Sequence, residues 1–108
     1  MTDRVNAPTD LEQLKSDHRA LAFLRVLERE PGFRLNDRVM LDWLRSLALV
    51  STIDELRDCV TSLESHGLIS VEHVGKIKVF TLTDMGQEVG VGQRTIEGIS
   101  RPQPDCDY

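Results

Sequence analysis

A chain of 108 residues is the length of a single domain, and at that size it buries roughly two-thirds of its unfolded surface without needing disulfides or a metal. Its 40% apolar and 29% charged residues are ordinary for a soluble globular fold. The net charge of −5 excludes the strongly basic field of a tight nucleic-acid binder.

The two cysteines, Cys59 and Cys106, lie far apart and outside any C-x-x-C pair. That usage argues against a disulfide framework or a structural zinc site and for a reducing, cytoplasmic setting. No apolar run follows a basic segment at the N-terminus, so no signal peptide is expected. No apolar run approaches the roughly 20 residues of a membrane helix.

Residues 1–8 lack periodicity and are expected to form a flexible arm. Thr9 and Glu12 have capping-box spacing, in which hydroxyl and carboxylate each satisfy a free backbone N–H. They predict a first helix from about Asp10 to Glu30, ended by Pro31-Gly32. The stretch Ala20–Leu27 is apolar nearly all round, interrupted only by Arg25. Such a helix has to be covered on more than one side. Phe23 and Val26, which point to different sides, are therefore assigned to a two-fold homodimer interface, with Ile96 and Ile99 added to it.

Asn36 predicts the cap of a second helix over Asp37–Leu47, with Val39, Met40, Trp43, Leu44 and Leu47 on one face. Ser51 or Thr52 caps a third, and Thr52 with Glu55 forms a second capping box. Ile53, Leu56, Val60 and Leu63 follow at helical spacing, and Gly67 supplies the left-handed stop. Two strands, Leu68–Val74 and Ile77–Thr83, flank a turn at Gly75-Lys76. Asp84 is expected to cap a short helix over Met85–Val89. Residues 92–108 lose the apolar period and read as an extended tail anchored only by Ile96 and Ile99. The predicted core gathers Leu14, Leu21, Leu24, Val39, Trp43, Leu47, Ile53, Leu56, Val60, Leu63, Leu68, Phe80 and Leu82.

Helices followed by a β-hairpin and a last short helix make a mainly α fold with a β-hairpin wing, the order of a winged helix-turn-helix. The runs Leu63-Glu-Ser-His-Gly67-Leu68-Ile69 and Phe80-Thr-Leu82-Thr83-Asp-Met-Gly86 resemble the "L-x-x-x-G-L-I … Y-x-L-T-x-x-G" signature of ArsR, MarR and PadR-like bacterial regulators. The resemblance covers about Asn36 to Val91, and the winged-helix domain is expected over residues 9–91. More loosely, the chain resembles small ArsR-like proteins of Mu-like prophages in its length, its Leu-rich first helix and its Gly98-Ile-Ser-Arg101-Pro102 tail. The winged-helix resemblance implies a double-stranded DNA partner, and with it a prophage-type regulator or DNA-associated accessory factor; the looser prophage resemblance implies no activity of its own.

The third helix would be the recognition helix, yet its solvent side carries Asp54, Glu55, Asp58 and Glu64 against Arg57 alone. Carboxylates facing phosphates cost affinity and release no counterion. Asp54, Glu55 and Asp58 also suit a helix N-terminus, where they oppose the dipole. His73, Lys76 and Lys78 cluster around the hairpin turn, and with Arg57 and Thr61 they form the candidate DNA contacts. Lysines on a hairpin also guard against edge-to-edge aggregation. Two function classes stay open: a DNA-binding protein, and a module for phage packaging or assembly that binds a protein partner through Asp54, Glu55 and Asp58.

Metal sensing would require ligands that close round one ion. His18, Cys59, His66, His73 and Cys106 are scattered, and Cys59 falls on the core side of its helix. No P-loop, G-x-S-x-G, H-E-x-x-H or dinucleotide fingerprint occurs, so no enzyme activity or cofactor is expected.

Overall fold

The computed structural model describes residues 7–102 and Tyr108, with side chains from Leu11 onward. Four helices and three strands follow in the order α1 (Ala7–Arg29), β1 (Arg34–Asn36), α2 (Asp37–Ser46), α3 (Ile53–Ser65), β2 (Ile69–Val74), β3 (Ile77–Leu82) and α4 (Asp84–Gly90). A single 3₁₀ turn, Pro31–Phe33, joins α1 to β1. The three strands form one antiparallel sheet in the order β1-β3-β2. The chain is thus mostly helical with a small three-stranded sheet, an arrangement compatible with a wing. Among the described residues no helix is long and apolar enough to cross a membrane.

Helix α1 begins earlier than its spacing predicts. Ala7, Pro8 and Thr9 are helical, so Thr9 is not the cap and Ala7 and Pro8 do not belong to an arm. Helix α2 follows its expected start: the Asn36 side chain accepts from Val39 N–H at 2.8 Å. In α3 the capping box is complete. Thr52 Oγ1 accepts from Glu55 N–H at 3.2 Å, while Glu55 Oε1 accepts from the N–H groups of Ser51 and Thr52. Gly67 ends the helix at φ 74°. Helix α4 is capped by Thr83, one residue before the expected Asp84: the Thr83 hydroxyl accepts from Gly86 N–H at 3.0 Å and donates to the Gly67 carbonyl at 2.7 Å.

The core surrounds α1. Phe23, Leu24 and Leu27 are fully enclosed with Met40 and Leu44 of α2, Leu56 and Leu63 of α3, Leu68, and Phe80 of β3. The Phe23 and Phe80 rings tilt against each other with centroids 5.2 Å apart. On another side, α4 meets α1 where Gly90 comes close to Leu24, and Arg25 donates to the Gly90 carbonyl. Residues beyond α4 fold back on the same helix. Ile96, Ile99 and Tyr108 pack on the core, and Ser100 N–H donates to the Asp17 carbonyl at 3.2 Å. Arg29 donates to the Tyr108 carbonyl, and the Tyr108 hydroxyl meets the His18 ring. The all-round apolar stretch of α1 is therefore covered by its own chain. Phe23, at zero exposure, cannot serve a dimer interface, and Val26, Ile96 and Ile99 pack partly buried on the protomer's own core.

Three residues assigned to the core lie outside it. Leu14, Val39 and Ile53 are 55%, 47% and 44% exposed. Each is at helical spacing from a core residue but at the rim of the buried face. Trp43 and Leu47 are half-buried against the cluster.

Candidate functional site

A groove of about 430 Å³ lies between α3 and the β2–β3 hairpin. Helix α3 presents two exposed strips. Ile53, Arg57, Thr61 and Glu64, at i, i+4, i+8 and i+11, face the groove. Asp54, Asp58, Ser62 and Ser65 are exposed and take no part in lining it.

The hairpin supplies the opposite wall. Its register pairs Val71 with Phe80 and His73 with Lys78. Alternate residues share a face of a strand, so these four lie on one side of the sheet. All four line the groove, with Lys76 at the tip. Gly75 permits that tip: it occupies the first place of a two-residue turn at φ 62°. The groove thus grades from an apolar floor of Leu56, Val60, Val71 and Phe80 to a basic rim toward the turn.

The five candidate DNA contacts, Arg57, Thr61, His73, Lys76 and Lys78, all line this one groove. Asp37 and Glu64 line it too, so the basic excess is modest. The three carboxylates at the start of α3 have different environments. Glu55 is engaged by the capping box, and its Oε2 lies 3.8 Å from Nη2 of the buried Arg19. Hydrogen bonds from the backbone N–H groups of Ser51 and Thr52 hold its carboxyl below the ordinary value against the opposing effect of burial, and Arg19 and Lys15 add smaller downward contributions. Asp54 pairs with Arg57 at 3.6 Å, both well exposed. Asp58 is exposed and has no ion pair among the described residues.

Arg19 carries no sequence signal as a structural residue, since it follows the polar Ser16-Asp17-His18 and directly precedes the apolar run. It is 7% exposed, and its Nε donates to the Leu49 carbonyl. It joins α1 to the α2–α3 connection and to the start of α3. Ile53 is the groove residue that periodicity misplaces, because the first residue of an amphipathic helix has no preceding turn to bury it.

Among the described residues no three His, Cys, Asp or Glu side chains are grouped to hold a metal ion. Cys59 is buried, and that burial pushes its thiol up to about 12, with Arg19 opposing. His66 lies at the end of α3 with a ring nitrogen 2.8 Å from the Ser62 carbonyl. Cys106 lies outside the described residues.

No family model and no solved structure matches the chain. The chain is similar to the uncharacterized protein gp26 of Escherichia phage Mu, with 28% identity over 94 residues, covering 87% of this chain and 97% of that protein.

Proposed function

We propose that the protein is a winged helix-turn-helix protein of phage type that binds double-stranded DNA weakly, as a regulator or DNA-associated accessory factor. The observation that carries this reading is the meeting of Arg57, Thr61, His73, Lys76 and Lys78 along one groove. In this reading α3 is the recognition helix and the β2–β3 hairpin the wing. The element order and the third strand β1 support the fold assignment, and the similarity to an uncharacterized phage Mu protein supports the phage type.

The acidic start of α3 weighs less against DNA than its composition suggests. Glu55 is turned to its own backbone, and Asp54 is partly neutralised by Arg57. The remaining charge keeps affinity low, because each carboxylate near a phosphate repels it. The same facts weaken the alternative of a protein partner recognised by Asp54, Glu55 and Asp58, since Glu55 is not free to meet one.

The test is a fluorescence anisotropy titration of a labelled duplex at low salt. Binding that fades as salt rises is expected. Asp54→Asn with Asp58→Asn should tighten it on every sequence. A wild-type protein that leaves duplex DNA unbound at low salt overturns the reading.

A further inference from the structure

The basic rim is what a phosphate backbone needs; the apolar floor is not. Ile53 stands 44% exposed at the groove beside the half-buried Val71, with the buried Val60 and Phe80 beneath them. A volume of about 430 Å³ lies within the 300–1,000 Å³ typical of sites that enclose part of a ligand. The hairpin register places the Val71–Phe80 pair next to the His73–Lys78 pair on one face. Apolar and cationic surfaces therefore follow each other along one wall, with Arg57 on the facing helix.

We infer that this groove also binds an acidic peptide segment of a partner protein, one that seats an apolar side chain against Ile53 and Val71 and sets its carboxylates against Arg57, Lys76 and Lys78. Charge complementarity chooses this occupant: Lys76, Lys78 and Arg57, the last also paired with Asp54, outnumber Asp37 and Glu64 among the lining groups. A purely apolar segment would leave the rim unpaired, and a polyanion without apolar side chains would leave Ile53 and Val71 wet. The part played by Ile53 and Val71 is independent of DNA binding, which uses only the rim. Where both ligands bind, they share the rim and exclude each other, so the peptide would release DNA.

Three labelled probes test this on the whole chain at low salt: a short peptide alternating Asp or Glu with Leu or Phe, the same peptide with serine at its apolar positions, and a duplex. The apolar-acidic peptide should bind about tenfold or more tightly than its serine counterpart, the difference expected from burying an apolar side chain. Ile53→Ser should remove most of that difference. The residue is half-exposed at the first turn of α3, and a thermal melt verifies folding. Arg57→Glu should weaken the apolar-acidic peptide independently of Ile53. Equal binding of the two peptides, no binding of either, or an Ile53→Ser variant that keeps the full preference overturns the inference. Peptide binding without duplex binding leaves the inference standing and removes the DNA reading; duplex binding without peptide binding does the reverse.

Discussion

Gly86 lies directly against the main-chain carbonyl of Leu68. A Cβ at position 86 would collide with that oxygen and stand 2.8 Å from Leu82 Cδ1. Around this contact the two halves of the L-x-x-x-G-L-I and L-T-x-x-G pattern interlock. Thr83 N–H donates to the same Leu68 carbonyl at 3.1 Å, and the Thr83 hydroxyl bridges Gly67 and Gly86. The pattern thus closes the hairpin onto the end of α3 and starts α4.

Gly86→Ala is expected to cost about 3 kcal/mol, the upper end for overpacking, because backbone must move to admit the methyl group. Gly90→Ala supplies the contrast. Its Cβ would meet Leu24 at an ordinary 3.5 Å. The change should stay within about 1 kcal/mol, since alanine is the better helix former. Urea unfolding midpoints of the two variants measure both.

Leu63 is 1% exposed and Leu14 is 55% exposed, although helical spacing suggests a core place for each. Leu63→Ala should cost roughly 2–5 kcal/mol. Leu14→Ala should fall within the roughly ±0.5 kcal/mol of ordinary surface changes. Equal shifts of the two unfolding midpoints would contradict the placement of α1.

Glu55 couples stability to pH. Its carboxyl is held below the ordinary value of 4.5, chiefly by the N–H groups of Ser51 and Thr52. A depressed carboxyl stabilises the fold above the unfolded-state pKa and loses that contribution as pH falls through the folded-state value. Glu55→Gln keeps the acceptor of the capping box but removes its charge, so it should cost about 0.3–1 kcal/mol at neutral pH, the range for a carboxylate at a helix N-terminus. The gap between variant and wild type should close in acid. Melting curves at a series of pH values below and above 4.5 trace it.

Cys59 is expected to resist alkylation in the folded protein, because burial keeps it a thiol far above neutral pH. Mass spectrometry after a maleimide pulse should show Cys59 modified only in denaturant.

Much of the architecture is legible in local pattern. Thr52 and Glu55 announce the start of α3, and Leu56, Val60 and Leu63 announce its buried face. Gly75-Lys76 marks the hairpin turn. What escapes is nonlocal. Strand β1 has three residues, Arg34 to Asn36, and exists through its pairing with Thr81, Phe80 and Val79. The burial of Arg19 depends on a carbonyl 30 residues away. The cover on α1 comes from Ile96, Ile99 and Tyr108, so an apolar run that suggests a second subunit is satisfied within one chain. The site was legible as a set of basic residues. Its apolar floor was not, because only the fold brings Val71 and Phe80 beside Ile53.

The salt dependence of duplex binding tests the central claim most directly. Wild type and Lys76→Ala with Lys78→Ala are titrated against one duplex over a series of salt concentrations. The account predicts weaker binding of the double variant on every sequence and a logarithmic salt slope shallower by about two phosphate contacts. An unchanged slope in the double variant, or a wild type that binds no duplex at the lowest salt, would contradict it.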